Sequence, residues 1–500
     1  MNDFRIDDGD ALSLIDLRAI LDWLATPPAD QAEDELAPLH THLTALRDTR
    51  TAAHQRHQVL DLLYDRAHRT VGRLLPDLVG VALPLSRRVR HTVRGLQGVL
   101  LKVAEDYLAT LDELDERLVK GLRRPPELTL WRAIDALATH QLISNYAASP
   151  YGADVWKLAN RAYRIAVEAQ CTDTHIRDVE DTIGDAYLRA CLLACAQPAS
   201  FTSREIGLVV DYIRRFASRA TPLPQPQAAG AEGVFWIDLG RDAPPTAAGR
   251  RPPPDDAWCF ACEQLAQLAE EQAEALDAGA RVADLDLPAE AATPAGRGVL
   301  RRLAHHWGHP GKRRFPRRRQ NYRAMLCVGL PALWQLFREQ QAPAGEPTRW
   351  MVTNESPDGY AVMHVSGKTS RLAAGDVVAL RTENIDDWQV CLVRWALSEN
   401  PEHLELGLQI LATRATPALL ANPARGVEAG QQPVLLLPAL PPLRPSETMI
   451  APVGATLPPP QRMLLVIERD NLEIRQVQAP RMEERTASVE VVAIEADTAP

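Results

Sequence analysis

The spacing of hydrophobic positions divides the chain into a helical part followed by a strand-rich part. From Asp10 to about Ala217, apolar residues recur every three or four positions, as they do on one face of an α-helix. Further helices are predicted over Trp131–Tyr146, Trp156–Ala169 and Ile176–Ala196. The clearest runs are Leu36, Leu39, Leu43 and Leu46; Leu60, Leu63, Ala67, Val71 and Leu74; and Val89, Val93, Leu96, Leu100, Val103 and Tyr107. Residues 1–220 are therefore predicted to form a helical domain.

A helix start is marked near the end of this region. Thr202 and Glu205 have the spacing of a capping box, in which a hydroxyl and a carboxylate satisfy backbone amides at a helix N-terminus. This pair predicts a helix over Ile206–Phe216.

Residues 221–300 read as a linker. Prolines at positions 222, 224 and 226 end the helical pattern, and a Pro-rich stretch spans 244–254. Between them, Val234–Ile237 is a short apolar run that predicts an isolated strand. A single helix is predicted from Trp258 to Ala278.

After a basic segment, the pattern changes from helical to extended. Strict alternation in Leu404–Ile410 predicts a half-buried strand. Strands resume in residues 416–500, which are predicted to form a second β module, and a hairpin turn is expected at Asp470-Asn471. The strands of that module are predicted at Val434–Leu437, Arg462–Glu468, Leu472–Val477 and Val489–Ile494.

Composition indicates an ordinary globular chain. Hydrophobic residues make up 46% of its 500 residues, and no run of about eighteen uncharged apolar residues predicts a membrane span. Met1–Asp10 is polar and has no features of a secretory signal. Cysteines that are odd in number and scattered predict free thiols in a reducing compartment, and hence a cytoplasmic location. The seven are Cys171, Cys191, Cys195, Cys259, Cys262, Cys327 and Cys391.

Charge is unevenly distributed. The net charge is −10, which disfavours non-specific nucleic-acid binding, so no nucleic-acid partner is expected. Residues 301–323 nevertheless contain no Asp or Glu, and His305, His306 and His309 lie among their basic residues. These are Arg301, Arg302, Lys312, Arg313, Arg314, Arg317, Arg318, Arg319 and Arg323. A positive segment in a negative chain predicts a local anionic partner.

Two short motifs refine that expectation. Arg319 and Arg323 form an RxxxR directly before an apolar run, and Asn354, Ser356 and Gly359 form an NxSxxG about thirty residues later. Guanidinium groups present a planar fork of donors that matches phosphate oxygens and the O6/N7 edge of guanine. Short polar side chains and a glycine allow close approach of a ligand to the backbone. Together they suit a small guanine dinucleotide.

These residues resemble the PilZ domain, a bacterial receptor for cyclic di-GMP. The resemblance covers roughly Arg313 to Ala412 and implies a six-stranded antiparallel barrel within residues 301–415, preceded by a basic arm. It implies that Arg319 and Arg323 grip phosphate and guanine, opposite Asn354, Ser356 and Gly359. Because the overlapping pairs Arg313/Arg317 and Arg314/Arg318 also fit RxxxR, Arg318 is kept as a further candidate ligand-binding residue.

The expected fold class is thus α+β: an N-terminal all-α domain, a PilZ-like antiparallel β-barrel and a further small β module, itself possibly PilZ-like. The resemblance implies a regulator that binds cyclic di-GMP and acts on a partner in motility, pilus or biofilm control, rather than an enzyme. The alternative is a PilZ-like adaptor or scaffold that binds proteins and not the nucleotide. The sequence names no protein partner, and it leaves homo-oligomer formation through the helices open.

Two other clusters contain residue types that can form metal or redox sites. Cys259 and Cys262 form a lone CxxC, predicted to pack inward on a helix. The histidines at 305, 306 and 309 have no local thiol or carboxylate, which favours a solvated basic arm. No metal or cofactor other than the ligand is expected.

Overall fold

A computed structural model of the protein confirms the α+β class and divides the chain into two compact units. The N-terminal unit comprises residues 1–81, 86–195 and 213–262; the C-terminal unit comprises 82–85, 196–212 and 263–500. The structure describes residues 17–49, 52–118, 127–223, 232–310, 315–339, 348–366, 371–400, 403–421, 431–441, 444–456, 462–468 and 472–496.

Helices make up most of the N-terminal unit. A helical segment over 17–24 precedes the labelled helices. These are α1 (Leu36–Asp48), α2 (Ala53–Leu78), α3 (Arg87–Leu118), α4 (Glu127–Tyr146), α5 (Val155–Glu168) and α6 (Ile183–Cys195). The next helix, α7 (Ser203–Phe216), belongs to the C-terminal unit as far as residue 212 and to the N-terminal unit from residue 213.

The predicted apolar faces are the packing faces of these helices. The leucines of α1 and the apolar positions predicted in α2 are buried, and α3 packs against α1, α2 and α4. Within α3, Val93 and Tyr107 are 1% and 0% exposed. Removing such side chains from water drives helix association, at about 1.5–3 kcal/mol for each large one.

The predicted capping box is confirmed, because the Thr202 amide donates to Glu205 (2.8 Å) and the Glu205 amide donates to Thr202 Oγ1 (3.2 Å).

Residues 221–262 form a sheet, not a linker. Strands β1 (Thr221–Leu223), β2 (Val234–Ile237), β3 (Thr246–Ala247) and β4 (Trp258–Ala261) pair in the order β1-β4-β2-β3. The expectation of an isolated strand is therefore wrong, since β2 pairs with both β3 and β4. The predicted helix from Trp258 is also corrected, because Trp258–Ala261 is paired on both sides and the helix begins only at residue 263.

Side chains attach this sheet to the helices. Asp242, in the loop after β2, accepts hydrogen bonds from the amides of Asp154 and Lys157 at the start of α5, both at 2.9 Å. Trp258 packs edge-on against Tyr163 and Tyr187, which stack on each other with centroids 4.1 Å apart. The helical domain thus extends beyond its predicted end at residue 220, to about residue 262.

The C-terminal unit contains helices α8 (Glu263–Asp277) and α9 (Pro294–Gly308) and a closed six-stranded barrel, the first barrel, spanning residues 318–412. A helix that the sequence analysis missed, α10 (Leu330–Glu339), lies between its first two strands; the leucine spacing at 330, 333 and 336 indicates it. The strands are β5 (Arg318–Val328), β6 (Thr348–Ser356), β7 (Gly359–Ser366), β8 (Val377–Thr382), β9 (Gln389–Asn400) and β10 (His403–Ala412).

The rest of the unit is a second closed barrel, spanning residues 416–496. Its strands are β11 (Thr416–Ala421), β12 (Gln432–Leu437), β13 (Thr448–Pro452), β14 (Arg462–Glu468), β15 (Leu472–Arg485) and β16 (Val489–Ala496). The predicted turn at Asp470-Asn471 lies outside the described residues.

The two barrels have the same topology. Numbered within each barrel, strand 1 pairs with 2 and 4, strand 3 with 2 and 6, and strand 5 with 4 and 6. The second β module therefore repeats the architecture of the first barrel.

A shared hydrophobic core joins the two barrels. It contains Val377 and Leu392 of the first barrel, Leu333 of α10, and Leu435 and Val491 of the second, all 2% exposed or less. Strand β8 is buried on both faces, which explains its continuous apolar run. Polar contacts add to this core: Thr486 and Ser488 donate to the Gly375 carbonyl at 2.8 and 2.9 Å.

Among the described residues, every helix is too short or too polar to cross a bilayer.

The role of the sheet in the N-terminal unit can be tested at Asp242. Asp242→Ala removes the acceptor for two amides at the start of α5, so we expect the free energy of unfolding to fall by about 1 kcal/mol. Urea titration followed by circular dichroism measures this change. Asp255→Ala is the control, because Asp255 is exposed and its side chain makes no hydrogen bond within the described residues. Equal stability of the two variants would contradict the assignment of 221–262 to this unit.

Candidate functional site

Five of the six candidate residues lie together at one end of the β5, β6 and β7 strands, and the sixth, Arg323, lies near the middle of β5. In the antiparallel ladder, Arg319 is directly opposite Asn354, and Arg318 is opposite Glu355. Arg323 is opposite Met351, about 10 Å along β6 from Asn354. Strand pairing thus brings the two motifs together although about thirty residues separate them.

Two β-bulges shape this end of the barrel. Strand β5 has one extra residue between Arg319 and Tyr322 relative to β6, and β6 has one extra residue between Val352 and Asn354 relative to β7. Bulges bend the strand and redirect side chains, and they are frequent beside functional sites. The sequence pattern did not indicate either bulge.

The NxSxxG motif is a tight hairpin turn. Ser356 pairs with Gly359, and Pro357 and Asp358 are the two turn residues. The Ser356 hydroxyl lies 2.6 Å from Asp358 Oδ1 and 3.2 Å from the Gly359 carbonyl, so it can donate to either. The turn is therefore held by its own side chains.

Gly359 is required for close approach and not for a positive φ. It is absent from the glycines with positive φ, but a Cβ there would lie 2.1 Å from the Leu408 carbonyl oxygen on β10. Gly359 therefore serves the close approach of a neighbouring strand, while the expected close approach of a ligand to this glycine stays a prediction. The glycine lets β7 pair with β10 and so helps to close the barrel.

A carboxylate lies within the site. Glu355 Oε2 accepts hydrogen bonds from the Tyr322 hydroxyl (3.0 Å) and from Gln320 Nε2 (3.1 Å), two residues between the motif arginines. Burial, together with the nearby Glu355 carboxylate, raises the pKa of Tyr322 well above its ordinary value. Tyr322 therefore remains a protonated donor at neutral pH.

The arginines of the site are exposed cations. Arg318, Arg319 and Arg323 are exposed, and in the described part of the chain their side chains form no ion pair or hydrogen bond. The guanidinium groups of all three arginines are therefore accessible to an anion from solution.

Residues 301–323, expected to act as one basic segment, do not do so in the structure. Arg301 pairs with Asp277, and Arg302 pairs with Glu205 and donates to the Ser200 carbonyl. Both lie on α9, as do His305 and His306, so they do not belong to a solvated arm. Lys312, Arg313 and Arg314 lie outside the described residues.

The expected position of RxxxR is corrected as well. A flexible arm was expected to carry both arginines ahead of the first strand, but Arg319 and Arg323 belong to β5 itself. Backbone pairing with β6 fixes their Cα positions, so only the side chains remain to be ordered by a ligand.

The other clusters show no ligand geometry. Cys259 lies on β4 and Cys262 just after it, and all seven cysteines are buried and outside disulfides. Burial raises the pKa of Cys262 well above its ordinary value, which makes its thiol unreactive. Within the ranges that the structure describes, no group of three or more His, Cys, Asp or Glu side chains is placed to hold a metal ion.

Comparison with known families identifies the first barrel. Residues 335–417 match the family model described as "Cyclic-di-GMP receptor FimW, middle PilZ domain". The first barrel is a PilZ domain. Asn354, Ser356 and Gly359 lie within the matched range of this PilZ domain, whereas Arg318, Arg319 and Arg323 precede it.

The match extends beyond the PilZ domain. Residues 18–227 match the model described as "Cyclic-di-GMP receptor FimW, N-terminal domain". A protein of Pseudomonas aeruginosa named "Cyclic-di-GMP receptor FimW" is 21% identical over 517 aligned positions, which cover 86% of this chain and 83% of that protein. The chain is thus similar to that receptor through the helical region and the PilZ domain together.

The structural role assigned to Gly359 can be tested by substitution. Gly359→Ala places a methyl group against the Leu408 carbonyl, so we expect a loss of roughly 1–3 kcal/mol in the free energy of unfolding, measured by urea titration. Gly72→Ala is the control, because Gly72 is exposed on α2 with no atom within 4 Å of the added Cβ. That change should stabilise the helix by about 0.5–1 kcal/mol. An unchanged stability of Gly359→Ala would contradict the close approach.

Proposed function

We propose that this chain is a regulatory receptor for cyclic di-GMP, which binds at the PilZ domain where Arg319 faces Asn354. The observation that carries the proposal is the pairing of β5 with β6, which places exposed, unpaired arginines beside the NxSxxG turn. The name of the Pseudomonas aeruginosa relative and the PilZ domain itself support the same ligand.

Each candidate residue has a chemical role in this proposal. Arg319 and Arg323 bind phosphate oxygens and the O6/N7 edge of guanine through paired N–H donors. Arg318, on the adjacent position of β5, adds a third cation for the two phosphates. Asn354 supplies an amide donor and acceptor opposite Arg319, because its side chain makes no hydrogen bond among the described residues. Ser356 and Gly359 hold the turn that forms the rim.

The second barrel is proposed to be a PilZ-like barrel without a ligand site. It has the strand pairing of the PilZ domain, but the sequence from Gln432 to Pro452, which corresponds to the NxSxxG hairpin, contains no asparagine and no glycine. Only one arginine, Arg444, lies in that stretch, and it is buried with its guanidinium donating to the Leu411 carbonyl. We therefore assign ligand binding to the first barrel alone.

The output of the receptor is proposed to be a protein contact. The chain acts as a cytoplasmic effector without catalytic activity of its own, and the ligand changes its interaction with a partner in motility, pilus or biofilm control. Oligomer formation and nucleic-acid binding have no part in this proposal.

Calorimetric titration with cyclic di-GMP tests the site. Arg319→Ala and Arg323→Ala each remove a charge-assisted contact worth about 1.5–3 kcal/mol, so affinity should fall about 10- to 150-fold. Asn354→Ala removes a neutral contact and should lower affinity about 2- to 10-fold. Arg349→Ala is the matched control, because Arg349 is exposed on the same strand as Asn354 but at its other end.

Specificity and the adaptor alternative are tested by the same measurement. Cyclic di-AMP and GTP should bind more weakly than cyclic di-GMP, because they lack one of its features, the guanine bases or the cyclic pair of phosphates. The variant lacking both Arg319 and Arg323 should lose all binding, since the second barrel has no site. Absence of heat at tens of micromolar cyclic di-GMP would instead support a ligand-free adaptor.

A further inference from the structure

The proposed anion site contains two carboxylates of its own. Glu355 lies across the ladder from Arg318, and Asp358 is a turn residue of the NxSxxG hairpin. Within the described ranges neither forms an ion pair. Neutral donors satisfy them instead: Ser356 lies 2.6 Å from Asp358, and Tyr322 and Gln320 donate to Glu355 at 3.0 and 3.1 Å.

This arrangement matters because a carboxylate and a phosphate compete for the same guanidinium donors. An arginine can form two parallel hydrogen bonds with either group. A glutamate opposite Arg318 is within reach of such a pair, since directly opposed residues on antiparallel strands are about 5 Å apart at Cβ. An ion pair between Glu355 and an arginine would therefore remove donors from the ligand.

The donors that hold Glu355 come from the β5 bulge. Gln320 lies within the register shift between Arg319 and Tyr322, and Tyr322 is the first residue paired after it. The extra residue in β5 places these two side chains beside Glu355 while the arginines on either side stay exposed. Tyrosine and glutamine carry no charge, so they satisfy the carboxylate without neutralising a cation of the site.

We propose that Tyr322 and Gln320 are positioning residues that hold Glu355 away from the arginines, and that Glu355, when released, competes with the anionic ligand for Arg318 and Arg319. The affinity of the site is then set by this internal carboxylate as well as by the residues that touch the ligand. The proposal rests on the proposed function for its effect on cyclic di-GMP, but the competition between Glu355 and the arginines exists without the ligand.

A double-mutant cycle measures the competition. Tyr322→Phe removes one of the two neutral donors and keeps the ring, so cyclic di-GMP affinity should fall about two- to fivefold, the range of an exposed ion pair. Glu355→Gln removes the competitor and should raise affinity. In the Glu355→Gln background, Tyr322→Phe should have no further effect. A fall of equal size in both backgrounds would overturn the proposal, because Tyr322 would then act independently of Glu355.

A second readout needs no nucleotide. Phenylglyoxal modifies accessible, unpaired arginines, and mass spectrometry of the peptide spanning β5 reports the rate at Arg318 and Arg319. Tyr322→Phe should slow this modification, and adding Glu355→Gln should restore it. Tyr212→Phe is the control, because Tyr212 is a buried tyrosine of the same unit whose hydroxyl donates to Gln272 at 2.8 Å.

The two readouts separate the possible failures. If the wild-type protein binds no cyclic di-GMP but the modification rates follow the expected pattern, the proposed function fails and the competition stands. If modification at Arg318 and Arg319 is the same in wild type and Tyr322→Phe, Glu355 does not compete for them and this proposal is overturned, whatever the protein binds.

Discussion

The antiparallel pairing of β5 with β6 is the interaction on which the candidate site depends. It places Arg319 opposite Asn354 by backbone hydrogen bonds, so the relative position of the two motifs does not rely on a flexible segment. A ligand that binds here needs to order side chains only, and that costs up to about 2 kcal/mol for each arginine. A site built on a mobile arm would also require the backbone to be fixed, at about 1–2 kcal/mol for each residue.

The positive charge of the site remains available because neutral hydroxyl and amide donors, and not arginines, satisfy its carboxylates. Several arginines elsewhere in the C-terminal unit are paired with acids: Arg301 with Asp277, Arg302 with Glu205 and Arg394 with Glu484. At the barrel end the acids are satisfied by hydroxyl and amide groups instead, and the arginines stay exposed. The net charge of the chain is −10, but it does not predict the charge of this surface, where the exposed groups are arginines. The local pairing pattern decides which cations are available.

The sequence predicted well those features that depend on local periodicity. The helical faces of α1 to α3, the capping box at Thr202 and the alternation in Leu404–Ile410 all arise from neighbouring residues, and the structure has each of them. The resemblance, and not periodicity, indicated that the two motifs meet: the register places Arg319 opposite Asn354, whereas Arg323 lies about 10 Å further along the ladder. The features that could not be predicted depend on pairing between strands that are distant in the sequence. The short apolar run of β4 shows neither helical nor strand periodicity, so the sequence predicts it as the start of a helix. Only its pairing with β1 and β2 makes it a strand.

The bulges were out of reach for the same reason. An extra residue in β5 has no meaning until the register with β6 is known, so neither the bulge nor the contact of Tyr322 with Glu355 could be found from the sequence. Similarly, nothing near Gly359 indicates Leu408, whose carbonyl explains why only glycine fits. The residue types were evident, but the contacts that explain them are with strands about thirty to fifty residues away in the sequence.

The shared core restricts how binding can change the molecule. Strand β8 is buried on both faces, and the core that joins the barrels includes residues from α10 and from β12, β13 and β16. A displacement of one barrel against the other would expose these side chains at about 25 cal/mol for each Å² uncovered. The exposed end of β5 and β6 carries no such penalty, because its outward residues contact solvent. A ligand seated there therefore changes the surface of the barrel pair, its charge above all, more readily than it changes the packing between the barrels.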